Sequence, residues 1–169
     1  MLQDPLPESD HVHMLVDLLL RFPEIYTISL NLPSCSCHLS YMIRRELNPE
    51  EYAALQRHLQ ENMATFCYLN RCQERCPFKI SHKNHSGLTR LQLTLGCVSF
   101  LDELISLLTA LMRDLFPEEL AAEKRSAAEH RWPEDDFIGE LSSPGKDPQR
   151  RGNRLTAFRD SGKVYIFDQ

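Results

Sequence analysis

Between Glu24 and Ile43 the apolar residues recur at every second position. "EIYTISLNL" sets Tyr26, Ile28, Leu30 and Leu32 in one phase, and "CSCHLSYMI" sets Cys35, Cys37, Leu39, Tyr41 and Ile43 in another. Pro33 and Ser34 separate the two runs. A period of two belongs to a β-strand with one buried face, and two such strands about a turn form a hairpin. A lone hairpin is marginal in water, so its apolar face must be covered by other elements.

Helical patterns flank the hairpin. Upstream, "DHVHMLVDLLLRF" repeats Val12, Leu15, Val16, Leu19 and Phe22 at helical spacing, with Ser9 or Asp10 as a cap and Pro23 as a stop. Downstream, "NPEE" places Asn48 at the N-cap, Pro49 at the first helical position and Glu51 two residues later, a capping box. Tyr52, Leu55, Leu59, Met63 and Phe66 make the buried stripe, with Cys67 beside it, and the helix is expected to end near Asn70.

The arrangement then recurs. "FKISHK" and "LTRLQLTLG" alternate, with Phe78 and Ile80 inward on one strand and Leu91, Leu93 and Leu95 inward on the other. "NHSG" lies between them, and Gly87 suits a positive φ. A third helix is expected from Ser99, with a stripe of Leu101, Leu104, Ile105, Leu108, Leu111, Met112 and Leu115. Phe100 and Leu107 lie off that stripe, and a helix apolar on more than one side is either central or covered by another subunit. Pro117 breaks it, and "PEELAAEKRSAAEH" reads as a polar helix. Residues 131–153 carry Pro, Gly and charge without apolar periodicity and read as a linker. "RLTAFRD" and "KVYIFDQ" about Ser161-Gly162 read as a last hairpin. Leu155, Ala157, Val164 and Ile166 suit one of its faces; Phe158, Tyr165 and Phe167 suit the other.

The expected fold is α+β: two hairpins in one small sheet with three main helices, in the order α-ββ-α-ββ-α, then a polar helix, a linker and a C-terminal hairpin. The units expected are an α+β domain over 1–130, a linker over 131–153 and a hairpin segment over 154–169.

Composition narrows the function classes. The 169 residues are 42% hydrophobic and 25% charged, with a formal net charge of -5. A mildly acidic chain has no global attraction to nucleic acid or anionic lipid, so either would need a local basic patch. The opening "MLQDPLPESD" is acidic and proline-broken, unlike an export signal, and no apolar run approaches the roughly 18 residues of a membrane span. The expected location is the cytoplasm, where the six cysteines would stay reduced.

Four functional readings compete. Cys72, Cys76, His82 and His85 are a zinc-type ligand set, but five residues separate Cys76 from His82 where structural sites use about a dozen. Arg71, Arg75, Lys79, Lys83 and Arg90 form a basic stretch opposed by one acid, Glu74, and could line a strand face toward RNA. Cys67 and the Cys35/Cys37 pair read as core residues. For catalysis, Cys97 sits at a strand-to-helix turn, where helix amides lower a thiol pKa, but no base pairs with it in sequence. No nucleotide, hydrolase or metalloprotease motif is present, so neither an enzyme nor a cofactor is expected. The reading that uses the most sequence is a non-catalytic binding or regulatory protein acting through protein contacts, with a protein partner or itself as a homodimer. Its interface residues would be Phe100 and Leu107 on the third helix and Phe158, Tyr165 and Phe167 on the C-terminal hairpin. The runner-up is an RNA-binding or zinc-stabilised module centred on residues 71–90.

Overall fold

The computed structural model describes residues 8–72, 77–96, 100–122, 154–160 and 163–168. The elements run α1 (Glu8–Arg21), β1 (Ile25–Asn31), β2 (Ser36–Ile43), α2 (Pro49–Leu69), β3 (Phe78–His85), β4 (Leu88–Leu95), α3 (Leu101–Leu115), β5 (Arg154–Asp160) and β6 (Lys163–Asp168). The fold is α+β. Each helix precedes a hairpin in sequence, and the three hairpins join one antiparallel sheet in the order β3-β4-β2-β1-β5-β6.

Register explains why one face is dry. Directly paired residues point to the same side of a sheet. Ile80, Leu93, Leu39, Ile28, Ala157 and Ile166 follow one another across all six strands and form one apolar row. His82, Leu91 and Tyr41 form the next row, and this is the side the helices cover. Tyr52 of α2 lies against His82, with ring centroids 3.9 Å apart. The buried Tyr41 hydroxyl meets Thr109 Oγ1 of α3 at 2.9 Å. Helix α1 packs over β1, β5 and β6.

Helix α3 is the middle helix, which accounts for its excess of apolar residues. Arg21 of α1 grips Asp102 with two hydrogen bonds, of 3.1 and 2.5 Å, on one flank. Phe66 of α2 meets Phe100 edge-on at 6.3 Å on the other.

Local chemistry sets the boundaries. Asn48 Oδ1 accepts from the Glu51 amide at 2.8 Å, and Glu51 Oε2 accepts from the Asn48 amide at 2.9 Å, so the capping box forms as its spacing predicts. The β3–β4 turn is only Ser86 and Gly87, both at positive φ (50° and 79°), the geometry of a tight hairpin whose twist matches its strands. The connection from β2 to α2 is tied to this hairpin through the fully buried Thr89. Its hydroxyl accepts from the Leu47 amide at 2.9 Å and lies 2.7 Å from Asn84 Oδ1.

Five expectations change. The β1 register shifts between Ile25 and Thr27, and this bulge turns Ile25 into the core in place of Tyr26. Cys35 is not on the strand: it closes the β1–β2 turn at φ 46°, exposed, while Cys37 alone is buried. Helix α1 already includes Ser9 and Asp10, so neither caps it. Residues 117–122 are not helical, because the Ala121 amide donates to Met42 O (2.8 Å) and the Arg44 amide to Glu119 O (2.7 Å), which extends the β1 side of β2. The rest of the expected polar helix and the linker 131–153 lie outside the described residues. The hairpin 154–169, set apart in sequence, contributes β5 and β6 to the common sheet.

Gly96 sits against Pro77, donating its amide to Pro77 O at 2.9 Å, and a Cβ there would fall 2.1 Å from Pro77 Cγ. Gly96→Ala is expected to lower stability by about 1–3 kcal/mol, as overpacking does. Urea unfolding monitored by circular dichroism measures it.

Candidate functional site

The far face of the sheet, away from the helices, has its own pattern. One row runs Lys79, Thr94, His38, Ser29, Thr156 and Phe167; the next runs Ser81, Gln92, Ser40, Thr27, Phe158 and Tyr165. The face is therefore basic at the β3 edge, small and polar in the middle, and aromatic at the β6 edge.

The middle is a hydrogen-bonded ladder. Thr27, Ser29, Ser40 and Thr156 are buried. Ser29 Oγ accepts from Arg154 Nε at 2.9 Å and from Thr156 Oγ1 at 3.0 Å, and Thr27 and Ser40 share a hydrogen bond. His38 Nδ1 lies 3.1 Å from Thr94 Oγ1. Burial, and then the positive charge of Arg154, hold the His38 pKa below its usual 6.5. The hydroxyls satisfy one another, as buried polar groups must.

The aromatic edge is different in kind. Phe158 stacks on Tyr165 at 5.3 Å and on Phe167 at 5.5 Å. Tyr165 is 40% exposed and Phe167 47% exposed. On the other side of β6, Val164 and Ile166 are half-buried against the core. Strand β6 is the last of the sheet, and no described strand pairs with its outer side. An edge strand that is apolar on both sides and carries no proline or bulge is a ready template for another strand.

The flank of α1 extends this edge. Arg21 marks the side of α1 turned to α3. Helical geometry places Val12 and Val16 on the opposite flank, with Leu20 beside them. Leu20 is 64% exposed.

The residues singled out by sequence fall as follows. Phe100 is half-buried against Phe66, and Leu107 is half-buried on α3, so both lie within the helix layer. Phe158, Tyr165 and Phe167 come together as one stacked cluster. Lys79 and Lys83 are exposed on the far face, and Lys83 is paired opposite Arg90, which is buried. Arg71 is exposed just after α2 at φ 50°. Arg75 and Cys76 lie outside the described residues, as does Cys97. His82 faces the helices and His85 the opposite side, because an odd separation along a strand reverses the face. Cys72 follows α2, its amide bonded to Cys67 O at 3.0 Å. Among the described residues no three His, Cys, Asp or Glu side chains gather as a metal would need.

Sequence reading missed two features. The Ser/Thr ladder has a period-two signal of its own in Thr27, Ser29, Ser36 and Ser40, hidden behind the apolar phase. The exposed Leu20 is invisible in a helix whose neighbours Leu18 and Leu19 are both buried. Tyr68 and Leu69 are also exposed, but they adjoin residues 73–76, outside the described set. Among the described residues one small cavity, lined by Glu24, Tyr26, Met42 and Arg159, lies where the β1 bulge meets β5. No helix among the described residues is long and apolar enough to cross a membrane.

No protein-family model matches the chain, and neither a curated protein nor a solved structure matches it.

Two predictions follow from the buried groups. Because the folded state holds His38 below its usual 6.5, the unfolded chain takes up the proton first. That contribution is whole above about pH 6.5 and is lost as the pH falls toward the folded value. Denaturation midpoints taken between about pH 7 and pH 5 should therefore fall, and His38→Gln should flatten that slope. Burial pushes the Cys37 thiol up to about 12, whereas Cys35 is exposed. Under native conditions a maleimide should label Cys35 and spare Cys37 until the protein unfolds; peptide mass mapping reads both sites.

Proposed function

We propose that this is a non-catalytic binding protein that acts through protein contacts, and that its contact surface is the β6 edge with the aromatic cluster beside it. One observation carries the reading: a terminal strand bears apolar side chains on both faces, with Tyr165 and Phe167 exposed. Natural sheets blunt their edges with charge, proline or bulges, and the opposite edge does so with Lys79 and Lys83. Edge β6 keeps Lys163 and Asp168 only at its ends. A strand supplied by a partner would gain main-chain hydrogen bonds, and its alternate side chains would lie beside the aromatic cluster on one face and Val164 and Ile166 on the other. Stacked aromatics supply large contact area at low conformational cost.

A second reading has an observation of its own. Lys79, Lys83, Arg90, Arg154 and Lys163 share the far face with the aromatic cluster, and single-stranded RNA is bound on sheets that combine these features. The lysines of β3 stand five strand spacings from β6, roughly 24 Å. The buried Ser/Thr ladder lies between them. A continuous track would need that middle ground, so the protein-contact reading comes first.

Photo-crosslinking separates the two. With benzoylphenylalanine replacing Tyr165 in cells that make the protein, irradiation should give a protein adduct resistant to nuclease. An adduct that nuclease removes would favour the RNA reading. Absence of any adduct, with the same probe reacting at a half-buried control position such as Phe66, would contradict both.

A further inference from the structure

Building on the protein-contact reading, we propose that the occupant of the β6 edge is a second copy of this chain, paired antiparallel through β6 about a two-fold axis near Tyr165.

The two edges of the sheet are unlike. The β3 edge presents Lys79, Ser81, Lys83 and His85, all exposed. A head-to-tail stack joining β3 of one copy to β6 of the next would set those polar groups against Tyr165 and Phe167, so the open, filament-forming contact is disfavoured. A closed contact uses the same surface twice and needs a self-complementary edge.

Strand β6 meets that requirement. Lys163, Tyr165 and Phe167 share its far face, and Val164 and Ile166 its helix side. Antiparallel pairing about an axis normal to the sheet keeps both helix layers on one side, whereas parallel pairing about an axis along the strands would put them on opposite sides. With the axis at Tyr165, Val164 of one copy lies across from Ile166 of the other on the helix side. On the far side the two Tyr165 rings face each other, and Lys163 lies across from Phe167, in reach of a cation–π contact. The sheet would grow from six strands to twelve without changing face.

The helix layer supplies a second contact. Helix α1 lies over β5 and β6, so its outer flank looks across the seam toward its mate. Val12, Val16 and Leu20 on that flank would be covered. This gives a role to Leu20, which is 64% exposed.

Sedimentation velocity on the full chain, from about 1 to 100 μM, tests the proposal against the 19.6 kDa protomer mass. A dimer is expected. Leu20→Glu and Phe167→Glu, both at exposed positions, should each raise the dissociation constant at least tenfold without changing the circular dichroism spectrum, and Lys79→Glu on the other edge should leave it unchanged. A wild-type chain that stays monomeric, or a dimer indifferent to both substitutions, would overturn the second copy as occupant. The crosslink at position 165 keeps the two failures apart. An adduct at twice the chain mass agrees with self-pairing, and a protein adduct of another mass keeps the binding reading while removing this one.

Discussion

Everything at the candidate site depends on the pairing of β1 with β5. Strand β1 is flanked by its own hairpin partner on one side, and its other side would be an edge in the middle of an apolar surface. Ile28 opposite Ala157 and Leu30 opposite Leu155 close that edge and carry the dry row across the sheet. The same pairing sets Thr156 opposite Ser29, which completes the polar ladder on the far face. It also moves the edge of the sheet outward to β6, under the flank of α1. The exposed aromatic cluster is thus a consequence of how the sheet is completed.

Among the described residues, helices cover only one face of the sheet, and the two faces solve burial differently. Beneath the helices, aliphatic rows surround a few paired polar groups, the Tyr41–Thr109 contact and the Thr89 hydroxyl among them. On the far face, the central strands bury hydroxyls that bond to each other. Short polar side chains can do this because each hydroxyl both donates and accepts. The aromatic residues of that face, Phe158, Tyr165 and Phe167, lie on β5 and β6, at the end of the sheet where no described strand pairs with the outer side of β6.

Much of the architecture was legible in particular residues. The capping box at Asn48 and Glu51 and the alternation in Leu91, Leu93 and Leu95 are local signals, and local chemistry realises them. The bulge at β1 was not legible, because Tyr26 and Ile25 are both acceptable core residues and only the pairing to Tyr41 selects one. Cys35 shares the phase of Cys37, yet the turn needs it at positive φ. Phe100 and Leu107 signalled an over-apolar helix. Its central place between α1 and α2 resolves the choice, a tertiary fact that no window of sequence holds. The site is legible only in part: the pattern of Phe158, Tyr165 and Phe167 is plain, but which edge of which sheet they occupy is set by residues about 130 positions away.

Amide hydrogen exchange on the intact chain tests the pairing of β1 with β5 most directly. The account predicts slow exchange through residues 28–30 and 155–157, at rates close to those of β2 and β4. Exchange of residues 154–168 at the rates of an unstructured peptide, with β1 unprotected on its outer side, would contradict it.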